Sequence, residues 1–216
     1  RGMAAYPDRA GTGIEAADEV LTGLRLGDNV VWQADAVEDY RAFAGPFVRR
    51  ALNEGRRVVY VRFADCEPLV EEAGARVIRL AADCGFERFT SAVHSLIEAE
   101  GVGVFYVFDC LTELIDHWHS DLMMSNFFRI TCPYLYTLET VAYFALLRGR
   151  HSYDAIAMIR DTTQLLVDLY RIDGVHFSDI RVDGTGTSVL SARVAGSASF
   201  ENVDARNVGA VGINNC

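Results

Sequence analysis

The chain has 216 residues, half of them hydrophobic, and a formal net charge of -10. That much apolar material fills the core of one ordinary to large domain and excludes global disorder. The acidic balance argues against nucleic acid or an anionic membrane as partner, because gripping phosphates needs clustered cations.

Every basic residue is an arginine; there is no lysine. Arg49-Arg50 with Arg56-Arg57 is the densest basic patch, and it reads as a solvated helix end. The five cysteines include no CxxC pair, so a disulfide framework is not expected, and Cys110 and Cys132 read as small core residues. No apolar run approaches the ~20 residues of a membrane span. The start, Arg1-Gly2-Met3, shows no signal-peptide core, and the expected compartment is the cytoplasm.

Tyr6 to Gly13 reads as a loop, and Ile14 to Leu21 as a short amphipathic helix ended by Gly23. Asn29 to Gln33 is a short apolar strand. Asp39 to Asn53 is a helix, with Glu54-Gly55 as its stop. Arg57 to Phe63 is apolar enough for a buried parallel strand, and Val77 to Leu80 is a shorter one. A helix follows over Phe86 to Ala99. Val102 to Asp109 is the most hydrophobic strand. Leu111 to Trp118 and Leu122 to Cys132 look helical, and Thr140 to Leu147 has the Val, Tyr and Phe content of a strand. Tyr153 to Thr163 is a helix. Gln164 to Ile172 and His176 to Val182 read as a hairpin around Asp173-Gly174. From Gly184 onward, Gly, Ser and Asn dominate, and an edge strand with a tail is expected.

Strand and helix alternation with short loops predicts an α/β fold, a mostly parallel sheet with helices on both faces. The expected division is a main domain over 1–183 and an edge strand or tail over 184–216, leading into a further domain if the chain is a piece of a longer one.

The turn after the first strand carries the sharpest chemistry. Gly27 to Tyr40 has the pattern of a strand passing into a helix, yet the turn Gln33-Ala34-Asp35-Ala36 has neither glycine nor lysine. Cradling a phosphate needs free backbone N–H groups, close approach through glycine, and a cation. Asp35, Glu38 and Asp39 would repel a triphosphate.

The order of these elements resembles the RecA-type ATPase fold, and most of all its KaiC branch, over roughly 11–174. Thr12 to Leu24 resembles the segment that precedes the family's first strand, and Gly27 with Val30-Val31 matches that strand. Trp32-Gln33-Ala34-Asp35-Ala36 stands where the family has its Walker A loop. Gly55-Arg56-Arg57-Val58-Val59-Tyr60-Val61-Arg62-Phe63 matches the family's G-x-x-V-x-Y-V-x-F strand. The water-activating glutamate pair beyond it is replaced by Ala64-Asp65, followed by Cys66-Glu67. Val104 to Asp109 matches the Walker B strand, with Cys110-Leu111-Thr112 after it. Similar modules without a Walker A loop occur at the N-terminus of proteins of the phosphoenolpyruvate synthase type. No catalytic histidine motif or ATP-grasp pattern of that enzyme family is visible.

The resemblance gives the candidate residues. Gln33, Ala34, Asp35 and Asp109 form the remnant of a nucleotide site. Asp109 is the candidate Mg²⁺ ligand, with a helix cap as its structural alternative. Asp65 and Glu67 are candidate general bases, with a solvated loop as theirs. If Asp35, Asp65 and Asp109 converge, the cluster suits a divalent cation or a basic group better than a phosphate. His117 and His119, with Asp116 and Asp121, have a spacing that no helix face shares and read as a polar lip around Trp118. His94, His151 and His176 are scattered, and no Ser/His/Asp signature is visible.

The expected function is therefore a non-hydrolysing KaiC-like scaffold, acting in regulation, oligomerisation or partner docking, with a phosphotransfer enzyme domain as a possible neighbour. The resemblance implies a homo-oligomer. The alternative is an ATP- and Mg²⁺-dependent enzyme in which Arg41, or an arginine of a neighbouring subunit, replaces the missing lysine.

Overall fold

A computed structural model describes residues 9–70 and 74–170. Beyond them it describes the backbone of three strands, 180–182, 188–193 and 209–211. The elements in chain order are β1 (Arg9–Ala10), α1 (Glu15–Leu21), β2 (Leu24–Arg25), β3 (Asn29–Ala34), α2 (Val37–Asn53), β4 (Val58–Arg62) and β5 (Arg76–Arg79). Then come α3 (Phe86–Glu100), β6 (Phe105–Cys110), α4 (Ile115–Trp118), α5 (Asp121–Thr137), β7 (Val141–Leu147), α6 (Tyr153–Thr162) and β8 (Leu165–Tyr170). β9 (Ile180–Val182), β10 (Ser188–Arg193) and β11 (Gly209–Val211) close the series. One-turn 3₁₀ segments at Ala82–Cys84 and Leu111–Leu114 lead into α3 and α4.

Period-two side-chain alternation builds two cores, one on each face of the sheet. Val30, Trp32 and Ala34 of β3 point to the face covered by α1 and α2. There Trp32 stacks on Phe43 at 4.5 Å, and Phe47 on Tyr143 at 3.9 Å. Val31, Tyr106, Phe108 and Phe144 point the other way, under α3, α5 and α6. Strands buried on both faces read as continuous apolar runs, as β6 and β7 do. The result is the α/β architecture expected from the sequence: a mostly parallel sheet flanked by helices.

The sheet order is β11-β9-β10-β8-β3-β7-β6-β4-β5. Every neighbouring pair from β10 to β5 is parallel. The chain leaves β3 by α2 on one face and leaves β7 by α6 on the other. The carboxyl ends of β3, β7 and β8 therefore border a switch point, where ligands lodge in open α/β sheets.

Several elements depart from expectation. Arg9–Ala10, read as loop, pairs antiparallel with Leu24–Arg25. β6 starts at Phe105 rather than Val102, because Gly101 and Gly103 adopt φ of 76° and 74°, outside the strand region. α5 continues through Pro133 to Thr137, held by the buried Leu135. Ile180–Val182 does not pair with Leu165–Tyr170. β10 lies between them, parallel to β8 and antiparallel to β9. The expected turn at Asp173-Gly174 and the expected boundary at 183 and 184 lie outside the described residues.

One glycine fixes how the N-terminal segment lies on α2. Gly13 has φ of 80°, and a Cβ there would fall 2.2 Å from the Pro46 carbonyl oxygen. Only a residue without a side chain fits.

Candidate functional site

The switch point is built from the ends of β3, β7 and β8. Only Asp35 and Ala36 separate the last residue of β3 from the first of α2. Trp32, one turn of pleat earlier, is buried in the core under α2. A turn this short has too few backbone N–H groups to wrap a phosphate chain.

Arg148, just after β7, occupies the crevice instead. Its guanidinium donates to Asp35 at 2.9 Å and to Asp168 at 2.8 Å. It also donates to the carbonyls of Gln33 at 3.2 Å and Leu169 at 2.7 Å. Its plane lies 3.8 Å from the Tyr170 ring centre, a cation–π contact. Burial pulls the guanidinium pKa down, but the Asp168 charge and the bonds to both carboxylates outweigh it and hold the pKa above its ordinary value. A planar fork with five donors suits this role, and here it is spent on the protein itself.

Asp109 lies two strands away from β3, on β6. The β6–β7 register shifts between Val107 and Cys110, so Phe108 and Asp109 share a bulge. Bulges re-aim side chains. The Asp109 carboxylate has no exposed surface. One oxygen accepts from the Tyr60 hydroxyl at 2.5 Å, and the other from the N–H groups of Phe63 at 2.9 Å and Ala64 at 3.1 Å. The buried Arg62 guanidinium lies 4.0 Å off. Tyr60 in turn accepts from the Leu69 N–H at 2.9 Å. Burial and then the bond to Asp109 raise the Tyr60 pKa, so the phenol keeps its proton. The carboxylate thus ties the end of β4 to β6. It does not cap the helix that follows, the structural role expected from the sequence.

A third network joins the 3₁₀ segment after β6, the end of β7, the loop that follows it and the start of α5. The Leu147 N–H donates to the Thr112 hydroxyl at 2.8 Å, and that hydroxyl lies 2.8 Å from His151 Nε2. His151 Nδ1 lies 3.0 Å from Asp121, whose second oxygen accepts from the Ser152 N–H at 2.5 Å. The partners assign the tautomer: Thr112 donates to Nε2, and Nδ1–H donates to Asp121. Burial lowers the His151 pKa, and Asp121 offsets this only in part, so the ring is neutral. The order hydroxyl–imidazole–carboxylate is that of a nucleophilic relay. Here the Thr112 oxygen already accepts a backbone N–H and the ring is fully enclosed, so the network acts as a strut.

The strut predicts acid sensitivity. The folded-state pKa of His151 lies below the ordinary imidazole value of 6.5, so below pH 6.5 the unfolded chain binds more protons than the folded one. Stability is full above that pH and falls as pH drops toward the folded pKa. His94, lowered by burial, adds in the same direction. The desolvation of Asp121 would raise its pKa, but bonds from Ser152 and His151 win and lower it, so its contribution is lost only at still lower pH. Urea unfolding at pH 7.5 and 5.5 should show a stability loss that is smaller in His151→Gln.

The other sequence candidates separate. Asp35 sits at β3 and Asp109 at β6, with β7 between them. Asp65 and Glu67 are exposed in the loop after β4. The acidic cluster considered for a divalent cation is not formed: among the described residues, no group of three Asp, Glu, His or Cys side chains is placed to hold a metal. His117 and His119 are exposed on either side of the buried Trp118, which packs edge-on against Phe86. His176 lies outside the described residues. Cys110 and Cys132 are core residues. Among the described residues, no helix is long and apolar enough to cross a membrane.

Arg148 and the His151 network were missed by sequence reasoning. The available signal was Arg148-Gly149-Arg150-His151, a polar cluster directly after an apolar strand. No family model matches the chain, and no curated protein matches it.

Proposed function

We propose that this domain is a KaiC-like scaffold that works without hydrolysing ATP, through contacts with other protein surfaces in regulation, oligomerisation or docking. One observation carries the reading: the crevice at the end of β3 is filled by Arg148, whose donors are taken by two carboxylates and two carbonyls. A triphosphate entering there would have to displace that network and would meet Asp35. Asp109 supports the same reading, since its oxygens are committed to Tyr60, Phe63 and Ala64. Leu122, Ile130 and Tyr136 project from α5 into solvent and supply apolar area for a partner, whether a second copy or a neighbouring phosphotransfer enzyme.

Thermal melts with ATP–Mg²⁺, ADP, phosphoenolpyruvate and pyruvate test it. A ligand at ~100 times its Kd would stabilise the fold by about 2.7 kcal/mol. The expected result is no shift that depends on the β3 crevice. An ATP–Mg²⁺ complex whose phosphates contact Arg148 or Asp109, seen in a co-crystal, would overturn the reading.

A further inference from the structure

A cavity of about 490 Å³ lies between α2 and the segment that follows β4, and none of its lining residues belongs to the Arg148 network. Its walls are Arg41, Gly45, Pro46 and Arg49 on one side and Pro68, Leu69 and Val70 on the other. That volume is within the range of small-molecule sites.

Three features make it a receptor for negative charge. First, Arg41 and Arg49 stand two turns apart on one face of α2, about 12 Å along its axis. Among the described residues, neither guanidinium takes part in an ion pair. Their neighbours are spent: Arg50 pairs with Glu54, and Arg62 lies beside Asp109. Second, Gly45 leaves room for Arg49 to fold back along the helix. A Cβ on Gly45 would lie 3.3 Å from Arg49 Nη1. Third, the opposite wall is already fixed. The Leu69 N–H bonds Tyr60, which bonds the buried Asp109, so the cavity needs no rearrangement to exist. Pro46, Pro68, Leu69 and Val70 supply an apolar floor between the two cations.

We infer that this cavity binds a small organic dianion, a phosphate monoester or a dicarboxylate with an apolar body. The guanidinium groups of Arg41 and Arg49 take the oxyanion charge, and the proline- and leucine-lined floor holds the body. Guanidinium grips either oxyanion by paired N–H donors. The site does not depend on the state of the β3 crevice, so it stands apart from the scaffold reading. Through Leu69, Tyr60 and Asp109 its occupant would touch the end of β6, which gives a scaffold a way to sense a metabolite.

Calorimetric titration of the full chain tests it, with phenyl phosphate and phthalate as probes for the two chemistries. The expected result is one saturable site for at least one probe, weakened tenfold or more by Arg41→Gln and by Arg49→Gln separately, and unchanged by Arg88→Gln on the exposed face of α3. Phosphate and carboxylate are told apart by which probe binds. Both arginines are exposed, so the variants keep the fold, checked by circular dichroism. Absence of binding by both probes, full affinity in the double Arg41→Gln/Arg49→Gln variant, or an equal loss in Arg88→Gln would overturn the inference. An ATP-induced melting shift abolished by Arg49→Gln belongs to this cavity. One that survives the double variant counts against the scaffold reading instead.

Discussion

Asp109→Ala should lower the unfolding free energy by about 3–5 kcal/mol, the cost of removing one partner from a buried charged network. The substitution leaves the Tyr60 hydroxyl and the N–H groups of Phe63 and Ala64 without an acceptor in a place with no solvent access. It also removes a carboxylate 4.0 Å from the buried Arg62 guanidinium. Asn is a poor replacement, since its amide group cannot accept at one of the two positions the carboxylate fills. Urea unfolding of wild type, Asp109→Ala and Asp109→Asn measures the effect. The outcome separates two roles for the residue. A carboxylate kept for a metal ion is strained without its metal, and its removal would leave stability unchanged or improve it. A carboxylate that ties β4 to β6 gives the loss stated.

Arg148→Ala should cost about 2–4 kcal/mol, because hydrogen bonds to charged groups contribute more than neutral ones and two backbone carbonyls lose their donor as well. The loss is not shared evenly. The Asp35 side chain is 49% exposed, so Asp35→Ala should cost less than ~1 kcal/mol. The Asp168 side chain is 19% exposed and sits beside the two carbonyls, so most of the effect resides there. Arg148→Lys should recover less than half, since a single ammonium cannot reach four acceptors spread over β3 and β8. Equilibrium unfolding of the three variants decides this. A neutral Arg148→Ala would mean that the crevice is held shut by the sheet alone.

The strands and helices were legible because each carries its period on its own residues. The β7 run is apolar throughout and β6 is so except for Asp109, as suits strands covered on both faces, and α2 and α3 stop just before Gly55 and Gly101 as expected. The missing glycine and lysine in the β3–α2 turn were equally plain. What could not be read was pairing at a distance. Asp35 meets Arg148 across 113 residues, and Tyr60 meets Asp109 across 49. No local pattern announces either contact. Asp109 was read as a metal ligand or a helix cap because its neighbours in sequence allow both. A one-residue bulge, invisible in the hydrophobic pattern, directs it elsewhere. The cavity beside α2 was hidden for the same reason. Arg41 was considered only as a stand-in for the missing lysine and Arg49 as part of a solvated helix end, because nothing local places Pro68 to Val70 opposite them.

The two-residue join between β3 and α2 has a consequence for anyone who would build a phosphate-binding loop here. Swapping Gln33, Ala34 or Asp35 for glycine and lysine changes the chemistry of the join but not its reach. Helix α2 is pinned by Tyr40, Phe43 and Phe47 and cannot retreat to make space. The difference from a working phosphate loop is thus one of chain length, and only inserted residues would close it.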